Sequence, residues 1–120
     1  MVSVTRHADV PGEVRGPGVT RKITVDKSTG SGAITAGVVF LEPGGTIPPH
    51  THLVEEAMTL VEGKLKILVG TETDEVEAPV SWLAPANTVH GARNIGDGPA
   101  TLIIAYPANE VGATRVEVEF

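Results

Sequence analysis

The 120-residue chain contains no cysteine, which excludes a disulfide framework and any thiolate metal ligand. Aromatic residues are nearly as scarce. One tryptophan, one tyrosine and two phenylalanines leave nothing from which to build a base-stacking platform. Basic side chains are outnumbered, nine against fifteen carboxylates for a net charge of −6, and a phosphate backbone is held by clustered cations that such a chain lacks. Nucleic acid is therefore not an expected partner. No apolar run approaches the roughly 20 residues of a membrane-spanning helix, and the first six residues are too polar for a signal peptide, so no membrane association and a soluble, cytoplasmic protein are expected.

What is present argues for a single domain over residues 1–120, long enough to bury one core and too short for two. Fourteen glycines and nine prolines punctuate short runs rich in valine and isoleucine, and no segment has convincing helical periodicity; the fold class is all-β. Residues 20–25, 36–41, 64–69 and 80–84 read as strands. Residues 27–32 read as a plain loop: they have glycines but neither a following helix nor the Gly-Lys-Ser/Thr ending of a phosphate cradle. Residues 70–79 are read as a connection in which Glu72, Asp74, Glu75 and Glu77 form a solvated hairpin tip.

The chemistry is concentrated in three histidines and one glutamate. His50 and His52, two apart, share one face of a strand, and a first-row divalent metal takes imidazole nitrogen and carboxylate oxygen readily. Glu56 would lie about 13 Å from His52 in an extended chain, whereas a metal holds its ligands at about 2 Å. The chain must therefore reverse through Leu53, Val54 and Glu55 and bring Glu56 back on a neighbouring strand opposite the histidine pair. His90 is the expected fourth ligand, and only His7 is left outside the set. Glu55 is the fallback if the register slips by one.

These residues resemble the two motifs of the cupin superfamily. Gly44, His50, His52, Glu56 and Gly63 match every spacing of the first; Pro85, His90 and Asn94 match the second, which departs from the pattern at Pro79 and Asn87, where glycines are usual. Asparagine tolerates left-handed backbone and can replace a turn glycine at Asn87; proline cannot, so the strand after Pro79 should begin differently. The resemblance covers residues 33–106 and implies a small single-domain cupin, a jelly-roll β-barrel holding one divalent transition metal per chain, Fe, Mn, Cu, Ni or Zn. In such a barrel the apolar run 36–41 would be buried on both faces, by the core and by a partner subunit.

Met58 and Leu60 share the face of Glu56 and, with Phe40 and Trp82, are the candidate pocket residues. Arg93 is out of phase with His90 and should point away, and Asn94 reads as a turn residue. No second acid or base is evident in phase with Glu56, which makes Glu56 itself the candidate catalytic group and the substrate a compact small molecule, largely uncharged beyond its chelating oxygens. A four-ligand site on a six-coordinate ion suits such oxygens or dioxygen. A dioxygenase-like oxidoreductase is the favoured function; a non-redox isomerase or polyketide-type cyclase and a binding module without turnover are the alternatives. Finally, Val2 and Val4, and Val116, Val118 and Phe120, alternate with polar residues as terminal strands would. Pairing these edges between subunits, with Arg6, Arg15, Arg21 and Lys22 facing Glu117 and Glu119, gives an expected homodimer; pairing within one chain is the competing arrangement.

Overall fold

The computed structural model describes residues 2–120. Its strands are β1 (Glu13–Gly16), β2 (Val19–Val25), β3 (Thr35–Leu41), β4 (Thr46–Thr51), β5 (Glu56–Glu62), β6 (Lys64–Val69), β7 (Glu72–Glu77), β8 (Val80–Ala84), β9 (His90–Asn94), β10 (Ala100–Tyr106) and β11 (Thr114–Arg115). They form two antiparallel sheets, six-stranded in the order β1-β2-β3-β10-β5-β8 and five-stranded in the order β11-β4-β9-β6-β7. Single 3-10 turns occur at His7–Asp9 and Lys27–Thr29. Among the described residues no helix is long and apolar enough to cross a membrane.

Strict alternation on the central strands builds the core between the sheets. On β10, Leu102, Ile104 and Tyr106 turn inward while Thr101, Ile103 and Ala105 turn outward; on β5, Met58 and Leu60 follow Glu56 inward. Leu41, Leu60, Leu65 and Leu102 are essentially removed from solvent. Each contributes about 1.5–3 kcal/mol by burial, and the two sheets are held face to face chiefly by this set. Gly63 makes the tight β5–β6 turn at φ 100°, with a Cβ there falling 2.8 Å from Ala100 Cα, so any side chain would meet backbone-level obstruction.

Several elements differ from the sequence reading. The acidic stretch is not a hairpin tip but a full edge strand, β7, paired along β6 with Lys64 opposite Glu77 and Lys66 opposite Glu75. Its carboxylates face solvent, a charged edge that discourages pairing with other chains. β5 does not pair with β4: the reversal through residues 53–55 carries the chain across to the other sheet, so Glu56 faces the histidines from the opposing layer. Residues 27–32 begin with a capped turn, Asp26 accepting from Ser28 N–H and Gly30 at φ 100°.

The terminal strands are also corrected. Residues 2–6 form no strand and Val2 and Val4 are largely exposed. At the other end β11 pairs with β4 of the same chain, and Val116 N–H continues that edge by donating to Pro49 O. Within the chain Arg15 and Arg21 approach Glu13, and Lys22 donates to the His7 carbonyl.

Candidate metal centre

His50 lies on β4 directly opposite His90, the first residue of β9, and His52 follows two residues on, just past the end of β4. Glu56 opens β5 in the facing sheet. The turn through Leu53, 87% exposed, is held by Asn87 N–H donating to the His52 carbonyl at 2.8 Å, and Asn87 has the left-handed geometry its sequence context implied, φ 60°. Before β8 the Ala78–Pro79 peptide is cis and the strand starts at Val80, the different beginning that Pro79 implied.

The four side chains offer ligand atoms that all lie within 4.8 Å of one another. His90 Nε2 is 2.8 Å and His52 Nε2 3.4 Å from Glu56 Oε1, and His50 Nε2 is 3.1 Å from His52 Nε2. His52, Glu56 and His90 are each 4–5% exposed. Every histidine spends its other nitrogen on a backbone carbonyl: His50 Nδ1 donates to Pro48 O at 2.7 Å, His52 Nδ1 to Gly112 O at 2.7 Å and His90 Nδ1 to Thr88 O at 3.0 Å. A carbonyl only accepts, so each Nδ1 carries a hydrogen, which leaves each Nε2 to present a lone pair to a cation at the centre or, when His52 or His90 takes a proton instead, to donate toward Glu56. Three lone pairs and a carboxylate aimed at one point repel each other unless a cation lies between them. This donor set, with its outer hydrogen bonds already made, could hold a divalent metal.

Electrostatics agree. Burial pushes the His50 imidazole down to about 4, against the hydrogen bond to Pro48, which keeps it neutral. Burial alone would raise the Glu56 carboxyl, but the hydrogen bonds from His52 and His90 outweigh it and hold it down to about 2, so it is anionic. For His90, burial is outweighed by the bond to Glu56, and its pKa is raised.

The four residues line a cavity of about 470 Å³, in the size range of small-ligand pockets. Of the expected pocket residues only Met58 lines it, beside Val39, Leu102 and Ile104. Leu60 is buried deeper in the core, Trp82 packs against the core's edge from β8, and Phe40 points outward from β3, 40% exposed. Strand alternation puts Phe40 on the face opposite Val39 and Leu41, both of which turn inward, and so out of the pocket expected of it. Arg93 points away, donating to Phe120 O at 2.6 Å, and Asn94 organises the turn beyond β9, donating to Leu41 O and Gly98 O.

The cavity also contains residues the sequence reading missed. Tyr106 sits with its hydroxyl 3.5 Å from His52 Nε2; burial, then the Glu56 charge, raises its pKa so that the hydroxyl stays protonated. The alternation Leu102, Ile104, Tyr106 on β10 was a signal that could have found it. Arg15, Arg21 and Arg115 line the cavity as well, which corrects the expectation of an uncharged surround. Arg21 was hard to assign because Lys22 follows it, so each face of that strand carried one charge.

The fold and site together define a class: a double-sheet β-barrel with a buried three-histidine, one-carboxylate cluster between its layers. The cupin domain family matches residues 37–106, more than half of the chain, and the chain belongs to that family. Among curated relatives it is 29% identical to germin-like protein 1-1 of Oryza sativa subsp. japonica, across 88% of this chain and 54% of that one. It is 30% identical to polyketide synthase CurC of Streptomyces cyaneus, across 78% and 60%. The chain thus spans a little over half the length of these relatives. Among solved structures, the polyketide cyclase RemF from Streptomyces resistomycificus superposes with a TM-score of 0.80 at 24% identity, covering 99% of this chain and 88% of that one. Oxalate decarboxylase of Lactobacillus farciminis gives 0.82 at 22%, covering 91% and 34%. These structural likenesses concern the fold.

Proposed function

We propose that the chain is a metal-dependent enzyme, a dioxygenase-like oxidoreductase acting on a small organic molecule with adjacent oxygens. One divalent transition metal per chain would be held by His50, His52, Glu56 and His90. The observation that carries this is the convergence of three Nε2 lone pairs and one carboxylate on a cavity lined by apolar side chains. A bound ion supplies Lewis acidity toward a chelating oxygen pair and, if redox-active, electron transfer to dioxygen. The chain's own residues do the rest. The three carbonyl-anchored Nδ1–H groups fix the imidazoles, Glu56 stays anionic, Met58, Leu102 and Ile104 exclude water from one wall, and the protonated Tyr106 hydroxyl is placed to hold or donate a proton. Structures described as oxalate oxidase share the fold, which supports the redox reading.

A second reading, a non-redox cyclase, is favoured by one specific observation. The polyketide cyclase matches this chain over nearly the full length of both, whereas the oxalate oxidase match covers 55% of that protein. One experiment tests both. Protein expressed with iron, manganese, copper, nickel and zinc available is expected to carry close to one metal per chain, lost in the His52→Ala/His90→Ala double variant, and to consume oxygen with catechols or diketones. Turnover without oxygen uptake on a zinc-loaded protein selects the cyclase reading; no bound metal overturns both.

A further inference from the structure

Exposed Arg15 on β1 and exposed Arg115 on β11, an edge strand of each sheet, line the cavity at its mouth, and the less exposed Arg21 on β2 lines it further in. Among the described residues Glu56 is the only acid lining this space, against three arginines, in a chain whose net charge is −6. Cations are thus gathered where the sequence as a whole has few.

Arg21 carries the argument. It occupies the inward phase of β2 between Val19, 2% exposed, and Ile23, which packs on the core. Its side chain is only 17% exposed, and its Nε is buried without a hydrogen-bond partner. Burying a guanidinium nitrogen unpaired costs stability, so core packing gives no reason for an arginine here. Its one anionic neighbour, Glu13, is half-exposed, contacts a terminal nitrogen at 3.3 Å and also lies 3.8 Å from Arg15. One carboxylate is therefore already accommodated between two of the three arginines, supplied loosely from the rim.

We propose that the substrate is an organic acid, its carboxylate received by Arg21 with Arg15 and Arg115 at the mouth while its chelating oxygens are directed to the histidine cluster. A guanidinium presents paired N–H groups that match a carboxylate two by two, which a lone lysine could not do. The three cations also raise the local concentration of anions that the rest of the surface repels. This rests on the reading that the histidine-lined cavity is the substrate site.

The test is a matched pair of ligands, 2,3- or 3,4-dihydroxybenzoate against the corresponding dihydroxybenzamide, titrated calorimetrically into zinc-loaded and metal-free protein. The acid of the better-fitting isomer should bind at least tenfold more tightly than its amide. In Arg21→Gln the preference should fall to threefold or less with amide affinity unchanged, and the exposed-residue double variant Arg15→Gln/Arg115→Gln should reduce it in the same direction without lowering the melting temperature. Equal binding of acid and amide by the natural protein overturns the proposal, as does a preference that survives both variants. The metal-free arm separates the two readings: an arginine-dependent preference there, with no effect of added zinc, refutes the metal site and keeps the carboxylate site.

Discussion

At the scale of single residues the histidine cluster sets a pH response whose sign follows from its geometry. A cation needs all three imidazoles neutral, so protons compete for it as pH falls. His50, held down to about 4 by burial, resists that competition; His90, raised by its bond to Glu56, is the first to take a proton. In metal-free protein the His90 shift stabilises the fold below the ordinary histidine value of 6.5 and is lost as pH rises through its folded value, whereas stabilisation by the ion grows in the same direction. Glu56, at about 2, stabilises above its ordinary 4.5 and loses that only as pH falls toward 2, outside this window. At a hundredfold excess over Kd an ion adds about 2.7 kcal/mol. The drop in melting temperature caused by a chelator is therefore expected to be several degrees at pH 8 and much smaller at pH 5; equal drops would rule out histidine ligation. The four residues that the structure brings together were legible because spacing of two, four and a distant third histidine is a pattern written in residue type. The arginines were not, since an exposed-looking charge at Arg21 gives no sign of which face it takes until β2 is placed against β3.

At the scale of elements, β11 is two residues long yet completes the site from outside it. The segment supplies the Gly112 carbonyl that fixes His52, the edge pairing on β4 and Arg115 at the mouth. Truncation after residue 110 removes a ligand's hydrogen-bond anchor but no ligand. Metal affinity should fall about 10- to 100-fold while circular dichroism retains the β spectrum; unchanged affinity by competition with a chromogenic chelator would show that the anchor is dispensable. Elements built on short apolar runs were readable in advance, β2, β3, β6 and β8 among them. β7 was not, because five of its six residues are polar or acidic and only Val76 packs on the core: an edge strand is stabilised by its neighbour's backbone rather than by its own burial. Nor could local sequence reveal that β4 and β5 lie in different sheets, a matter of tertiary topology.

At the scale of the whole molecule, the outer face of the six-stranded sheet is largely apolar where β3, β10, β5 and β8 run side by side, with the Glu62 carboxylate at one end accepting from Thr101. Phe40, Val61, Leu83 and Ile103 stand 40–50% exposed there, with Ala57, Thr59 and Ala105 between them. A largely apolar surface on a chain of net −6 is where two copies can meet with few like charges opposed. The homodimer anticipated from the termini is accordingly expected across this face. Light scattering at micromolar concentration should give twice the 12.4 kDa chain mass, Phe40→Glu/Ile103→Glu should give the monomer, and removal of residues 1–6 should leave the dimer intact. A monomeric natural protein would refute the interface.

The placement of Glu56 in one sheet and the three histidines in or beside the other has a mechanical side. An ion gripped by all four would rivet the two layers together, and its grip on His50 and His90 would close a loop of about forty residues. By the chain-entropy relation for cross-links, a closure of that length restricts the unfolded chain by about 4 kcal/mol when the link survives unfolding. An ion that lets go on unfolding forfeits this, so the rivet strengthens the native barrel only while the ion is available. A chain with no cysteine would then have a removable staple in place of a permanent one, its rigidity set by the metal supply around it.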